Sequence, residues 1–218
     1  MQSGVERVFG LVLEDSRTLL EGDSSSGDSG EDIMKDTDVF GRSALSAACA
    51  LGRANFARDA VEKNGADVNA PTARGYMSLH FAAMWGQLDT LKTLLDLGAD
   101  LQAANFRGER AVDVALRYQQ SDCAEFLQWA EARQSLQAAL TRVRGILADP
   151  ERVQGKLSKE DKNTCLNVCS VNSDWIQNAK SPTVQDFVDQ KKHFEEVLAP
   201  ILKKLSAQSE ASPKTIRS

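Results

Sequence analysis

Few residues in this sequence have the types and spacings that catalysis or metal binding requires. The chain has only two histidines, His80 and His193, and four cysteines. Cys165 and Cys169 are one helical turn apart, but no second pair or histidine completes a set of four metal ligands, so we expect buried structural thiols. We expect His193, which lies among lysines, to be solvated. The sequence also has no glycine-rich loop after a strand of the kind that holds phosphate. The residues predict a protein that is not an enzyme and needs no cofactor or metal.

The overall composition is that of an ordinary folded protein, with 42% hydrophobic and 26% charged residues in a chain of 218. The net charge of -5 argues against a general nucleic-acid binder. No stretch approaches the roughly 20 apolar residues that a membrane-spanning helix needs, and the start of the chain lacks a secretory signal pattern. Four cysteines in a chain this long do not indicate a disulfide framework. We expect a cytoplasmic protein with reduced thiols and with no nucleic-acid partner or membrane insertion.

The first 36 residues fall into two parts. Residues 1–20 have apolar side chains at roughly helical spacing, which predicts an N-terminal helix able to cap the next element. Residues 21–32 have the sequence EGDSSSGDSGED, without an apolar side chain, so we expect a disordered acidic linker over residues 21–36. Ser25 and Ser29 each have an acidic residue three positions later, as substrates of acidophilic kinases do.

A sequence unit recurs from Gly41 onward. GRSALSAACALG begins at Gly41, GYMSLHFAAMWG at Gly75 and GERAVDVALRYQ at Gly108, so the glycines are 34 and then 33 residues apart. Each glycine suits a turn from an extended finger into a helix, because glycine adopts left-handed backbone angles without strain. Small and apolar side chains are expected to fill the contacts between units: Ala47, Ala48, Ala82, Ala83, Leu45, Leu79, Leu91, Leu94 and Leu95.

These units resemble the ankyrin repeat, which has this period and a first helix that opens with T-P-L-H-x-A-A. The corresponding residues are Ser43–Ser46, Met77–His80 and Arg110–Asp113. All three units lack the proline, which predicts an array less stable than one of consensus sequence. The resemblance covers residues 37–134 and implies a solenoid of about three repeats, because a single repeat cannot bury its own apolar face. It also implies that His80 makes structural hydrogen bonds.

Helical patterning continues after the repeats without the 33-residue period. We expect helices over residues 131–147, about 158–178 and 181–205, and then a flexible polar tail over residues 207–218. Pro150 ends the first helix, and Ser158 with Asp161 forms a capping box at the start of the second. The third helix has an apolar face formed by Phe187, Phe194, Val197, Leu198, Ile201 and Leu202.

This C-terminal part resembles the helical lid of the seventy-kilodalton heat-shock proteins. The similarity lies in ERVQGKLSKEDK at residues 151–162, the Trp175–Ile176 pair and FVDQKKHFEEVLAPILKKL at residues 187–205. Matching positions are Cys169, Trp175, Phe187, Gln190, Pro200 and Leu205. The resemblance implies a helical bundle over residues 135–206. The nucleotide-binding domain and the peptide-binding β-sandwich have no counterpart in this sequence, so ATP-driven chaperone activity is not implied. Asn172 and Ser173 replace residues that are usually apolar, which predicts loose packing.

Ankyrin proteins bind with their finger tips and with the concave face of their first helices, and counting from each finger glycine locates that surface here. Its predicted members are Phe40, Arg42, Leu51, Arg74, Tyr76, Met84, Trp85, Phe106, Arg107, Arg117 and Tyr118. The set contains both tyrosines of the chain, one of its three tryptophans and four arginines, the residue types that dominate binding hot spots. Because arginine pairs in bidentate fashion with carboxylate and phosphate, we predict an acidic or phosphorylated segment of another protein as the ligand.

Three alternatives stay open at this stage. In the first, Trp85 and Phe106 are structural and pack against each other or under the N-terminal helix. In the second, the acidic linker folds over the arginines and inhibits binding, more strongly when phosphorylated. In the third, the lid-like bundle carries the function, as a chaperone-related regulator or client-binding protein with heat-shock chaperones as partners.

The sequence as a whole predicts an all-α fold in which an ankyrin solenoid runs into a C-terminal helical bundle. The function that we favour is a non-catalytic scaffold or adaptor for protein–protein interaction. We expect it in the cytoplasm, at cytoskeletal, ciliary or cell-division structures of the kind that such adaptors serve.

Overall fold

The computed structural model describes residues 37, 38 and 40–207. The predicted N-terminal helix, the predicted linker and all of the predicted tail except Ala207 lie outside these residues. Within the described residues, the chain is helical apart from turns and one isolated antiparallel bridge between Thr37 and Ser43. The predicted all-α fold class is therefore confirmed. The chain divides into two compact units between Gln128 and Trp129.

The described part of the first unit consists of consecutive helix pairs. These are α1 (Ala44–Ala50) with α2 (Ala54–Glu62), α3 (Ser78–Met84) with α4 (Leu88–Asp96), and α5 (Ala111–Arg117) with the beginning of α6 (Ser121–Ala148). The first helices pack in a row, α1 against α3 and α3 against α5, while α2 packs against α4. Ala48, Ala82 and Ala115 are fully buried, because close stacking of helices leaves room only for small side chains. The repeat pattern of the sequence thus becomes a stack of helix pairs.

A hydrogen-bonded finger turn precedes the first helix of each pair. The backbone N–H of Asp38, Thr72 or Asn105 donates to the carbonyl four residues later over 2.8 to 3.0 Å. The side-chain oxygen of the same residue accepts a second backbone N–H from within the turn. The finger glycines at positions 41, 75 and 108 have φ of 78, 71 and 74°, which confirms that the turn requires the left-handed region. These turns fix the direction in which each finger tip presents its side chains.

The second unit contains the remainder of α6 and three further helices. These are α7 (Pro150–Val153), α8 (Lys159–Asn178) and α9 (Val184–Ala207). The predicted capping box at the start of α8 is confirmed. Ser158 Oγ accepts the backbone N–H of Asp161 over 3.0 Å, and Asp161 Oδ2 accepts that of Ser158 over 3.1 Å.

Two helices differ from the sequence prediction. Helix α6 begins at Ser121 rather than at residue 131, because no proline or glycine interrupts the chain until Gly145. The second helix of the third repeat therefore continues without a break into the second unit. Helix α7 was not predicted at all. It begins at Pro150, where a proline is tolerated because the first helical N–H has no intrahelical partner, and the Asp149 carboxylate caps it through the Glu151 N–H at 3.1 Å.

The core of the second unit is apolar, and the buried polar side chain of Asn172 lies beside it with its hydrogen bonds satisfied. The buried members of the core are Leu140, Val143, Val153, Leu157, Cys165, Cys169, Phe194, Leu198 and Ile201. Asn172, which was expected to loosen this bundle, is 3% exposed. Its amide donates to the Val168 carbonyl over 2.8 Å and accepts from Gln190 Nε2 over 3.1 Å. Ser173 accepts from Arg144 over 2.7 Å, so both polar side chains tie helices together.

Candidate functional site

His80 is the histidine at the start of a repeat helix, and both of its ring nitrogens are occupied. Nδ1 accepts the backbone N–H of Met77 at 3.1 Å, and Nε2 donates to the carbonyl of Glu109 in the next repeat at 3.1 Å. Burial lowers the pKa of His80, which favours the neutral ring that this pair of bonds requires. The structural role implied by the ankyrin resemblance is confirmed.

The cysteines of the second unit are also structural. Cys165 and Cys169 are each 1% exposed within the core, and burial raises the pKa of both thiols. His193 is exposed on α9. Within the part of the chain that the structure describes, no three or more His, Cys, Asp and Glu side chains are grouped to hold a metal ion. No described helix is both long and apolar enough to span a membrane.

The predicted binding residues of the first repeat lie at its finger tip and at the end of α1. Phe40 is 60% exposed and Leu51 is 47% exposed. The Arg42 guanidinium lies over the Phe40 ring and bonds to Asp38 Oδ2 through both Nε and Nη2 at 2.6 Å. Burial alone would raise the pKa of Asp38, but the hydrogen bonds from Arg42 and Phe40 outweigh it and lower that pKa. Arg42 is therefore already paired within its own turn.

Phe106, at the third finger tip, is the centre of an exposed cluster. Its ring is 57% exposed, and its centroid lies 5.7 Å from the guanidinium carbon of Arg74 and 5.4 Å from that of Arg107. The Phe106 N–H donates to the Arg74 carbonyl over 3.0 Å, so two successive finger turns hold the cluster together. Among the described residues, no carboxylate lies within ion-pair distance of Arg74 or Arg107. Both arginines are positioned by the ring and keep their N–H donors for another acceptor.

Arg117 lies at the end of α5 and is already engaged. Its Nη2 lies 3.3 Å from Glu109 Oε2, and its guanidinium lies 5.0 Å from the Tyr118 ring centroid. A hydrogen bond with the Tyr76 side chain raises the pKa of Arg117. The predicted surface therefore has two arginines already paired with carboxylates and two, Arg74 and Arg107, that are not.

Trp85 follows α3 and is 61% exposed, while Met84 beside it is half-buried. In the described part of the chain, the Trp85 and Phe106 rings make no contact with each other. The ring nearest to Phe106 is that of Tyr76, with 6.2 Å between centroids. Mutual packing of Trp85 and Phe106 is therefore not observed. The predicted N-terminal helix, under which these rings were alternatively expected to pack, lies outside the described residues.

Leu116 is an exposed residue that the sequence reasoning missed. It is 55% exposed on α5, whereas the equivalent residues Cys49 and Ala83 are fully buried. Those two lie between stacked first helices, but no first helix of a further repeat follows α5 in the described chain. A large apolar side chain at a position otherwise held by small ones was the signal in the sequence.

A family model for ankyrin repeats, three copies in length, matches residues 17–105. The match begins before the described residues and includes the segment predicted as a linker. It ends at Asn105, whereas the finger turn from Asn105 to Glu109 and helix α5 repeat the geometry of the two preceding units. The ankyrin pattern therefore extends past the matched range.

Three curated relatives have the name ankyrin repeat domain-containing protein 45. The relative from Danio rerio is 58% identical over 185 residues, which are 85% of this chain and 83% of the relative. The relative from Mus musculus is 44% identical over 174 residues, with 80% of this chain and 70% of the relative covered. The relative from Homo sapiens is 40% identical over 174 residues, with 80% of this chain and 65% of the relative covered. This chain belongs to the ankyrin repeat domain-containing protein 45 family.

For this member of the ankyrin repeat domain-containing protein 45 family, the first unit is a protein–protein interaction domain. Ankyrin arrays present extended concave surfaces for binding and are typically non-catalytic. The exposed cluster around Phe106 is formed by the second and third finger tips, which are part of such a binding surface.

Proposed function

We propose that this chain is a non-catalytic scaffold or adaptor that binds an acidic or phosphorylated segment of another protein. The binding site is the arginine–aromatic surface, which we define as Arg74, Trp85, Phe106, Arg107 and Tyr118. The observation that carries the proposal is the pair of arginines, Arg74 and Arg107, held against an exposed phenylalanine without a carboxylate partner among the described residues.

The chemistry of this surface favours an anionic ligand with some apolar contact. Each guanidinium presents a planar set of N–H donors that matches a carboxylate or phosphate in bidentate geometry. The exposed rings of Phe106 and Trp85 offer contact area whose ordering costs little side-chain entropy. In a chain of net charge -5, two unpaired arginines at adjacent finger tips form a local cationic site that distinguishes acidic segments from others.

A charge-reversal experiment tests the proposal. The probe is a fluorescein-labelled acidic peptide that contains one phosphoserine, measured by fluorescence anisotropy beside its unphosphorylated form. We expect Arg74→Glu/Arg107→Glu to weaken binding of the phosphopeptide by about tenfold or more, because charge-assisted hydrogen bonds contribute about 1.5–3 kcal/mol each.

The control variant is Lys63→Glu/Lys92→Glu, which makes the same change in net charge at the end of α2 and on α4. It should bind as the unaltered chain does. Equal weakening by both variants would mean that net charge alone, and not the arginine–aromatic surface, governs binding.

We also propose that the partner belongs to a cytoskeletal, ciliary or cell-division structure. Capture from dividing, ciliated cells with the unaltered chain and with Arg74→Glu/Arg107→Glu, followed by mass spectrometry, identifies the partners that depend on the surface. Cytoskeletal, ciliary or cell-division proteins lost from the variant would support an adaptor at those structures. Heat-shock chaperones retained by the variant would instead favour the alternative in which the C-terminal bundle carries the function.

A further inference from the structure

The second unit has an open apolar groove between α6 and α9. Its volume is about 750 Å³, within the range of ligand-binding clefts. Val143, Phe194 and Leu198 belong to the buried core and form its floor, and the half-buried Ile146 and Leu202 continue the apolar surface outward.

The length of the groove matches that of a short helix. Its lining runs from Ser135 to Ile146 along α6 and from Lys191 to Leu205 along α9, which corresponds to roughly 16–21 Å at about 1.5 Å per residue. That length accommodates about three to four helical turns. Ala138, on the wall of the groove, has a small side chain that permits close approach of another backbone.

The edges of the groove are cationic. Arg142 on α6, Lys156 after α7 and Lys191 on α9 line it, together with the single acidic residue Glu195. Lys191 donates to Ser135 Oγ over 2.8 Å and lies 3.8 Å from Glu195. Within the described chain, no carboxylate lies within ion-pair distance of Arg142 or Lys156.

We propose that this groove binds an amphipathic helix of another protein, with an apolar stripe seated on the floor and acidic side chains along both flanks. Helix-in-groove recognition uses apolar anchors three and four residues apart, which an elongated apolar floor accepts. The cations come from three different segments of the chain, an arrangement that suits several carboxylates better than the single head group of a fatty acid. The site is independent of the arginine–aromatic surface.

The test uses the full chain and a synthetic helical peptide of about 14 residues. The peptide has leucines three and four residues apart and glutamates on both flanks, and a matched peptide has lysine in place of every glutamate. Binding is measured by fluorescence anisotropy at low ionic strength. We expect the glutamate peptide to bind the unaltered chain and the lysine peptide to bind at least about tenfold more weakly.

Two variants locate the binding, and a third controls for net charge. Ala138→Glu obstructs the groove at an exposed helical position, and we expect it to abolish binding of the glutamate peptide. Arg142→Glu/Lys156→Glu should weaken that peptide by about tenfold and strengthen the lysine peptide. Lys159→Glu/Lys192→Glu lies outside the groove on α8 and α9 and changes the net charge as much as Arg142→Glu/Lys156→Glu. It should leave both affinities within about twofold of the unaltered chain. Circular dichroism establishes that each variant is folded.

Three results of the peptide-binding assay would overturn the proposal. They are the absence of binding by the glutamate peptide, equal binding of the two peptides, and binding that Ala138→Glu leaves unchanged. Displacement of the bound peptide by stoichiometric oleate would likewise overturn it, since that result assigns the groove to a fatty acid. Self-association of the chain that Ala138→Glu abolishes would assign the groove to a second copy and also overturn it.

Discussion

Asp38 and Asn105 perform the same task in different finger turns. Each accepts backbone N–H groups through its Oδ1 atom, at 2.9 Å for Asp38 and at 2.8 and 3.1 Å for Asn105. Only Asp38 also forms an ion pair, with Arg42. The turn itself therefore needs an acceptor oxygen and not a charge, which separates the backbone role of Asp38 from its electrostatic role.

We predict that Asp38→Asn makes the stability of the chain less dependent on acid. Because the pKa of Asp38 is lowered in the folded chain, its stabilisation is present above the unfolded pKa of about 3.9 and is lost as pH falls through the folded pKa. At neutral pH the variant should lose about 1 kcal/mol, because the Arg42 partner of the buried Asp38 carboxylate is 40% exposed and solvent weakens the ion pair.

Urea unfolding at neutral pH and near pH 3, followed by circular dichroism, measures this difference. The gap between the unaltered chain and Asp38→Asn should narrow at the lower pH. A gap that stays constant would show that the charge of Asp38 does not stabilise its turn.

The sequence did not predict which side chains of the candidate site pair with one another. Counting from the finger glycines correctly indicated exposed positions such as Phe40, Trp85 and Phe106. It did not show that Arg117 is paired with Glu109, because the residues are on different elements and meet only when the finger turn folds beside α5. Which arginines are left for a ligand is consequently a property of the folded repeat.

At the scale of elements, the third repeat departs from the first two where its first helix ends. Gly52 and Gly86 follow α1 and α3 with φ of 74 and 69°, and a Cβ at either would lie 2.3 or 2.4 Å from the side chain of Gln87 or Gln120. After α5 the corresponding residue is Gln119, with φ of 58°. The left-handed backbone is thus retained with a residue that is strained in it.

We predict that Gln119→Gly stabilises the first unit by about 0.5–1 kcal/mol. Glycine relieves the left-handed strain of about 1–2 kcal/mol, and the greater freedom of the unfolded chain offsets part of that gain. The matched control is Gln128→Gly, the same chemical change at an exposed helical position of α6, which should lose about 1 kcal/mol.

Thermal unfolding followed by circular dichroism measures both changes in stability, the gain expected for Gln119→Gly and the loss expected for Gln128→Gly. Destabilisation by both substitutions would show that Gln119 makes contacts in its turn that outweigh the backbone strain.

At the scale of the whole molecule, charge is distributed unevenly. The chain has a net charge of -5, yet Arg74 and Arg107 on the first unit lack carboxylate partners among the described residues, as do Arg142 and Lys156 on the second. Repulsion of an acidic ligand by the net charge acts over a longer distance than attraction by these local sites. Added salt therefore screens the repulsion first.

We predict that binding of the acidic phosphopeptide to the arginine–aromatic surface weakens severalfold as ionic strength rises from about 0.05 to about 0.5 M, over which the Debye length shortens to a few ångströms. Anisotropy titrations over a series of salt concentrations measure the slope, and Arg74→Glu/Arg107→Glu should reduce it. Affinity that does not change with salt would mean that Phe106 and Trp85 bind through apolar contact alone.

The sequence by itself determined the class of fold and most of its elements. The glycines 34 and 33 residues apart, the alanines at stacking positions and the Ser158–Asp161 capping box are local signals, and each is confirmed in the structure. Local signals suffice here because each repeat contacts mainly its neighbours. The resemblance of the second unit to a chaperone lid stays a prediction.

Only the tertiary structure decided where the elements join and which surfaces are left for partners. The unbroken α6 has no signal at its predicted boundary, since helix propensity is continuous there. The groove between α6 and α9 and the unpaired Arg74 and Arg107 depend on side chains far apart in sequence. Their physical cause is non-local packing, because a surface is available to a ligand only after the folded chain has satisfied its own contacts.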